Sequence, residues 1–267
     1  MRPRDRLDDH FAEWLLPLVE NSDHGLYARG DGIVVTAVGR GGDVFNTAAA
    51  FDVPRGAPTA VQWAIDLLAS TDCRYAFQVP TDLRSAVGPH LERQGLVLVE
   101  TLPGMAHDRI SSIPAAPLGL RLVTVTDGDR LADHAAAITR GFGGTDPSAL
   151  AAVLTPALLA DPRVTMLNGY LDDDETLVAT SASAVVHGIA GVFGVTVAER
   201  ARRRGLGAAM TWAATAAGVR AGADSAALQA SALGSSVYAR MGFRTVRTFD
   251  RYALGSGAGV PKTTPRA

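Results

Sequence analysis

The chain of 267 residues is long enough to bury a large core and to form one or two domains, and we expect two. Hydrophobic residues make up 47% of it and charged residues 19%, which is typical of a globular protein and excludes an intrinsically disordered one. The net charge of −2 excludes a chain-wide attraction to nucleic acid or to an anionic membrane. Any basic site therefore has to be local.

The cysteine content and the first segment of the chain indicate the cellular compartment of the protein. The single cysteine, Cys73, excludes an intramolecular disulfide, and no Cys/His cluster at zinc-ligand spacing accompanies it, so no metal is expected. Residues 1–20 are basic and then apolar, but acidic residues interrupt them, and no apolar stretch reaches the length of a signal peptide or a membrane span. We interpret this segment as an amphipathic first helix of a cytoplasmic protein.

The first half of the chain, from about Gly25 to Asp108, alternates strand and helix patterns. The expected elements are strands over 32–39, 44–53 and 74–80, a helix over 58–70, a short helix over 86–96 and a strand over 97–108. The segment Arg109–Gly119 is rich in Ser, Pro and Ala and is the expected linker.

The second half begins with a strand and two helices, at 120–126, 127–142 and 146–160, with Pro156 expected to bend or shorten the last. Three antiparallel strands follow, at 164–171, 176–186 and 190–197. The remaining predicted elements are a helix over 207–222, a strand over 225–231, a short helix around Tyr238 and a last strand over 244–254.

The two halves end alike, each with a helix, a strand, a short helix, a glycine and a final strand. This weak similarity, with a period of about half the chain, predicts a duplicated fold. Coincidence between two unrelated α+β domains is the alternative. The expected boundaries are 1–110 for a first domain, 118–255 for a second, and 256–267 for a disordered tail.

An arginine and glycine segment carries the strongest chemical signal. Arg202, Arg203 and Arg204 directly precede Gly205-Leu206-Gly207, where a strand passes into a helix. Glycines let the backbone approach a ligand, and the free N–H groups of a first helical turn bind phosphate oxygens. Arginines add charge-assisted donors. The segment suits a pyrophosphate, and a solvated basic turn is the alternative.

Other phosphate motifs do not fit this segment. A Walker A loop needs a Lys followed by Ser or Thr where the chain has Ala208 and Ala209, and a dinucleotide fingerprint needs its third glycine at Met210. A nucleic-acid site is not expected, because aromatic residues do not interleave with the arginines and the protein is acidic.

Two motifs together resemble one family. Arg202–Gly207 follows a strand ending in Val195-Thr196-Val197, and Tyr238 precedes Gly242-Phe243 by four residues on the next short helix. In both respects residues 118–254 resemble the GNAT superfamily of acyl-CoA-dependent N-acyltransferases. The resemblance implies an α+β (α/β) fold, with a mixed, mostly antiparallel twisted sheet flanked by helices, in two tandem GNAT-like domains.

The resemblance also implies a reaction, the transfer of an acetyl group from acetyl-CoA to a primary amine of a small molecule or protein. Backbone amides of residues 203–208 would hold the CoA pyrophosphate. The strand Val195–Val197 would pair with the pantetheine arm, and a strand N–H would stabilise the oxyanion. Tyr238 would be the general acid for the thiolate. Phe142, Gly143 and Gly144 would shape the acceptor pocket, or form a simple loop between helices.

The sequence does not determine the general base, the partners or the role of the first half. The strand over 190–197 has no carboxylate, which leaves His187, Asp172–Glu175, Glu199 or a chain of waters, and water is favoured. The first half lacks the phosphate loop, so we expect it to cover the acceptor site or to extend the core. A non-catalytic acyl-CoA sensor or partner module is the alternative function. The oligomeric state is undetermined, with a homodimer as one option.

Overall fold

The structure is a computed structural model, and it describes residues 6–110, 112–115, 119–171, 174–232 and 234–255. The predicted tail over 256–267 and parts of the predicted linker lie outside these residues. The described chain divides into two compact units. The first unit contains the residues up to Pro103 together with those from Arg247 onward, and the second unit is Gly104–Val246.

Helices and strands alternate along most of the described chain. Its helices are α1 (Arg6–Glu13), α2 (Leu16–Glu20), α3 (Ala57–Ala69), α4 (Arg84–Arg93), α5 (Gly128–Gly141), α6 (Ser148–Ala151), α7 (Pro156–Leu159), α8 (Leu206–Arg220) and α9 (Ser235–Arg240). Its strands are β1 (Leu26–Gly30), β2 (Ile33–Ala37), β3 (Asn46–Ala50), β4 (Ala76–Pro80), β5 (Leu96–His107), β6 (Leu120–Thr124), β7 (Val164–Leu171), β8 (Asp174–Val186), β9 (Ile189–Val197), β10 (Ser225–Gln229) and β11 (Arg244–Leu254).

The first unit has the strand order β1-β2-β3-β4-β11-β5. Strands β1, β2 and β3 pair antiparallel, and β3 pairs parallel with β4. Helix α3 connects β3 to β4 and buries its apolar face, which includes Val61, Ile65 and Leu68, in the core of this unit. That spacing of three to four residues is the helical pattern that the sequence shows.

The second unit has the strand order β5-β10-β9-β8-β7-β6. Helices α5 and α8 cover opposite faces of this sheet. On β7, Asn168 bonds to His134 of α5, whereas a Cβ atom added to Gly169 would lie 2.9 Å from the sulfur of Met210 on α8. Successive strand residues point to opposite faces, so the two helices lie on different sides.

The two units repeat one connectivity and exchange their last strands. The series β2-β3-α3-β4-α4-β5 in the first half matches β8-β9-α8-β10-α9-β11 in the second. The end of β5 pairs antiparallel with β10 of the second unit, and β11 pairs antiparallel with β4 of the first. The sequence assigned the whole last strand to a second domain over 118–255. The structure instead places residues 247–254 with the first unit, because neighbours in sequence need not pair in a sheet.

Several element boundaries differ from the sequence-based expectation. The predicted helix over 146–160 is two short helices, because Pro156 lacks a backbone N–H and opens α7 instead of continuing α6. The predicted first helix is likewise divided into α1 and α2, with a proline in the first turn of α2. Strand β1 was not predicted, because its residues 26–30 lack an alternating apolar pattern.

Asp250 anchors β11 within the first unit. Its carboxylate is fully buried and accepts hydrogen bonds from Arg84 Nε at 2.5 Å and Nη2 at 2.6 Å, and from Thr101 Oγ1 at 2.8 Å. Burial raises the pKa of this carboxyl, but the bonds from Arg84 and Thr101 outweigh burial and hold the pKa below its ordinary value. A buried carboxylate that keeps its charge depends on such partners.

We expect Asp250→Asn to lower the melting temperature by more than about 5 °C, because it removes the charge that compensates Arg84 and leaves donors unsatisfied. Asp82→Asn is the control, since Asp82 is an exposed partner of Arg247 and surface pairs contribute little. The measurement is thermal unfolding of both variants. Equal, small shifts for the two variants would contradict an anchoring role for Asp250.

Candidate active site

The central feature of the second unit is a gap between two neighbouring strands. Strands β9 and β10 pair in parallel from Ile189 to Gly191, opposite Ser225 to Ala227, and the described chain shows no pairing between them beyond that point. Strand β9 nevertheless continues to Val197 and β10 to Gln229. Within the described residues, the edge of β9 from Gly194 to Val197 therefore has no strand partner on the β10 side.

Strand β9 contains a β-bulge along this open edge. Thr180 of β8 lies opposite Thr196 and Ala182 lies opposite Phe193, so Ser181 alone faces both Gly194 and Val195. Gly194 has φ +60°, and a Cβ atom there would lie 2.9 Å from Ile138 Cδ1 of α5. A glycine in the left-handed region is typical of one bulge type. The bulge therefore depends on glycine at this position, both for its backbone conformation and for space.

Two threonine hydroxyls lie beside the bulge on the face that α5 covers. Thr180 Oγ1 is 2.8 Å from the carbonyl oxygen of Gly194 and 2.7 Å from Thr196 Oγ1. Both threonines are buried. A Cβ atom on Gly141, at the end of α5, would come within 2.4 Å of Thr196 Cβ, so glycine permits this close approach.

The loop from β9 to α8 turns sharply at two left-handed residues. Arg203 has φ +61°, and Gly205, the N-cap of α8, has φ +77°. A left-handed residue followed by a helical one directs successive N–H groups into a concavity that binds anions. A Cβ atom at Gly205 would meet nothing within 4 Å, so this turn is open.

The backbone amides of residues 203–208 donate no hydrogen bond to any part of the chain that the structure describes. The amides on either side are used, since Arg202 N donates to Glu199 O at 3.2 Å and Ala209 N donates to Gly205 O at 3.1 Å. Unpaired amides at a helix start, aided by the helix dipole, form a site for an anion such as phosphate.

The arginines of this loop are exposed, and one of them contacts the strand. Arg202 Nε donates to the carbonyl oxygen of Val197 at 3.3 Å, which joins the loop to the end of β9. Arg203 and Arg204 lie at the surface, whereas Leu206 is buried and Gly207 and Ala208 are half-buried. Leu206 packs with Val195 and Val197 against Met210 of α8, which fixes the start of the helix beside the strand.

Tyr238 lies on α9 and is half-buried against the core below β9 and β10. Burial raises the pKa of its phenol, and a hydrogen bond with the Thr211 side chain acts in the opposite direction. Thr211 Oγ1 also donates to the carbonyl oxygen of Gly207 at 2.8 Å. A raised pKa keeps the phenol protonated at neutral pH, as a proton donor has to be.

The loop after α5 presents an aromatic side chain to solvent. Phe142 is 70% exposed, Gly143 has φ +83°, and Gly144 N donates to Thr139 O at 2.8 Å. A Cβ atom on Gly144 would lie 2.9 Å from Thr139 Cγ2, so the loop folds closely over the helix end. Because Gly141 contacts Thr196, the loop begins next to the β9 bulge.

The structure does not bring all the candidate general bases close to the bulge of β9. His187 is exposed in the turn before β9, about 25 Å along the strand from Val195. Glu199 is exposed in the short turn after β9. The side chains of 172–175 lie outside the described residues. His187 is therefore too far from the bulge to act there, and a chain of waters stays our preferred hypothesis.

Sequence reasoning missed a buried polar row next to the bulge. His134 Nδ1 is 2.7 Å from Asn168 Oδ1, and Asn168 pairs across the sheet with Thr180. Burial lowers the pKa of His134, and the bond with Asn168 partly offsets this, so the imidazole is neutral at pH near 7. Asn168 and Thr180 occupy the strand positions that face α5. The alternation of side chains between the two faces of each strand was the sequence signal that could have identified them.

Solved structures resemble this chain over most of its length. A GCN5-related N-acetyltransferase from Kribbella flavida has a TM-score of 0.66 and 22% identity, over 93% of this chain and 95% of its own. One from Sphaerobacter thermophilus has a TM-score of 0.59 and 18% identity, over 87% and 80%. A tandem GNAT protein from the clavulanic acid biosynthesis pathway has a TM-score of 0.55 and 13% identity, over 94% and 96%.

The chain has the GNAT fold. At these identities the likeness establishes the fold alone. No family model and no curated protein matches the sequence. The predicted α+β architecture, a mixed sheet flanked by helices, is confirmed.

Neither a candidate membrane span nor a candidate metal site occurs among the described residues. None of the helices is both long enough and apolar enough to cross a membrane. No cluster of three or more His, Cys, Asp or Glu side chains that could hold a metal ion occurs in the described ranges.

The first GNAT-like unit has the corresponding loop between β3 and α3, but its amides are occupied. Asp31, in the turn between β1 and β2, accepts hydrogen bonds from Arg55 N and Gly56 N, each at 3.0 Å. Gly56 is the N-cap of α3, and Pro58 in its first turn has no N–H. In the first unit, the carboxylate of Asp31 therefore binds amides at the start of the helix. In the second unit, the corresponding amides are left open.

We expect Asp31→Asn to destabilise the protein at neutral pH, with a difference that shrinks in acid. The amides of Gly56 and Arg55 hold the pKa of Asp31 below its ordinary value. A lowered folded pKa gives stability that is present above the unfolded value, about 3.9, and that is lost as the pH falls through the folded one. The measurement is denaturant unfolding at several pH values. Asp52→Asn, in the loop between β3 and α3, is the control, and a difference that grows in acid would contradict this assignment.

Proposed function

We propose that the protein transfers an acetyl group from acetyl-CoA to a primary amine of a small molecule or a protein. The observation that carries this proposal is the row of unpartnered amides at residues 203–208, next to the open edge of β9. The resemblance of the fold to N-acetyltransferases supports acyl transfer as the general class.

The pyrophosphate of CoA would bind to the amides at the start of α8. Gly205 gives these amides an accessible, left-handed turn, and the helix dipole adds a favourable field. The exposed guanidinium groups of Arg203 and Arg204 add positive charge near the anion. The pantetheine arm, which carries amide groups, would lie along the open edge of β9 at Val195–Val197 and complete its backbone hydrogen bonds.

In the chemical step, the amine nitrogen attacks the thioester carbonyl carbon and a tetrahedral intermediate forms. A backbone N–H of β9 stabilises its oxyanion. The carbon–sulfur bond then breaks, and the phenol of Tyr238 gives its proton to the leaving thiolate. The amine proton passes to water, and water returns a proton to the phenolate. No metal ion takes part. The unpaired Cys73 supports a reducing, cytoplasmic location for this reaction.

The acceptor would approach from the loop after α5. Phe142 offers an exposed ring in this loop, and the space around Gly143 is open, whereas Gly144 packs closely on Thr139. An aromatic face attracts an ammonium group and apolar substituents, which suits an amine carried on an apolar or flexible stem.

Binding of CoA tests the loop assignment. We expect Gly205→Glu to weaken CoA binding by at least about tenfold, because it adds a negative charge among the amides. Gly222→Glu is the matched control, since Gly222 is also left-handed, exposed and open, but lies after the other end of α8. Calorimetry with CoA is the measurement. Equal binding by both variants would remove the loop from the proposal.

Turnover tests the role of Tyr238. We expect Tyr238→Phe to lower kcat by about 10²- to 10⁴-fold with little change in CoA binding, because only the proton donor is lost. Gly234→Ala should act in the same direction, since a Cβ atom there would lie 2.8 Å from Tyr238 Cε2. The measurement is free thiol release from acetyl-CoA over a panel of amines. Wild-type protein that binds CoA and turns over no amine would be a binding module and not an enzyme.

A further inference from the structure

The hydroxyl of Thr180 has one proton and two close oxygen partners. The carbonyl oxygen of Gly194 can only accept, so the Thr180 proton lies on the 2.8 Å bond to it. The 2.7 Å contact between the two threonine hydroxyls then has Thr196 as donor. The two bonds form a directed chain, from Thr196 to Thr180 to Gly194 O, in a place where both threonines are buried from water.

The bond to Gly194 O fixes more than one atom, because a peptide unit is planar. The carbonyl of Gly194 and the N–H of Val195 belong to the same trans peptide and point in opposite directions. Since the carbonyl points toward the Thr180 hydroxyl, the N–H of Val195 points away from that hydroxyl. Along this part of β9, the described chain shows no pairing with β10.

We propose that Thr180 is a positioning residue, which holds the Gly194–Val195 peptide so that the Val195 N–H faces the thioester carbonyl. The inference rests on the proposed function, because it assigns the oxyanion donor of that reaction to one amide. Thr180 touches no reacting atom and acts through the peptide. The bulge makes such support necessary, because Gly194 lacks a side chain to restrict its backbone.

The surrounding contacts keep this hydroxyl chain in one arrangement. Gly141 brings the end of α5 against Thr196, and Ile138 lies against Gly194, so the helix covers the chain from outside. Asn168, held by His134, occupies the strand position next to Thr180 on β7. Water cannot readily replace a lost hydroxyl in such a covered place, and the peptide would then be free to rotate.

Three variants separate positioning from simple loss of a buried polar group. Thr180→Val keeps the shape and removes the donor, and we expect kcat to fall about 10- to 100-fold with the KM for acetyl-CoA nearly unchanged. Thr180→Ser keeps the hydroxyl and should restore most of kcat. Thr36→Val removes a buried threonine hydroxyl of the first unit, which lies 3.3 Å from Thr47 Oγ1, so its kcat should change less than about threefold. Equal losses for Thr180→Val and Thr36→Val would overturn the proposal.

A spectroscopic measurement tests the same link without turnover. Carbonyl-¹³C glycine combined with ¹⁵N valine restricts a correlation spectrum to the Gly–Val peptides, at 191–192, 194–195, 218–219 and 259–260. We expect Thr180→Val to shift the Gly194–Val195 signal and to leave the others in place, and Thr180→Ser to keep it near its wild-type position. An unshifted signal in Thr180→Val overturns the proposal. If the signal shifts as expected and wild type has no transferase activity, the proposed function fails. The positioning of the Gly194–Val195 peptide by Thr180 is then still supported.

Discussion

The site depends on the end of strand pairing between β9 and β10. Pairing between these two strands stops after Gly191, and from Gly194 to Val197 the described chain shows no strand on the β10 side of β9, while β8 pairs with the other edge. The bulge at Gly194, the open turn at Gly205 and the ring of Tyr238 all lie around this separated pair. Strand amides left without partners carry a free-energy cost. In a fully paired sheet the same backbone groups would therefore form hydrogen bonds with the neighbouring strand.

Backbone geometry, more than side-chain charge, distinguishes the two copies of the fold. Both have a strand, a loop and a helix start in the same order, and both offer amides at that start. In the first unit Asp31 occupies two of them from a distant turn, whereas in the second unit the amides of 203–208 have no acceptor in the described chain. Arginine occurs in both loops, at Arg55 and at Arg203, so its presence does not decide which loop can take an anion.

The sequence predicts what depends on local pattern. The order of the elements in the second half follows from periodicity, and two short motifs single out the glycines of the loop between β9 and α8 and the tyrosine of α9. Three features do not follow: the pairing of β11 with β4, the contact of Asp31 with Gly56, and the bond of Thr180 to Gly194. Each joins residues far apart in the chain, and a local pattern does not determine which distant backbone group a polar side chain will meet.

The reciprocal exchange of β5 and β11 has a consequence for each half of the chain. Each copy is closed by a strand that the other copy encodes, so a gene fragment for either half yields a sheet without its last member. The first half therefore supplies the strand that pairs with β10, whatever its own loop binds. Loss of that half from the chain would remove this strand from the second unit.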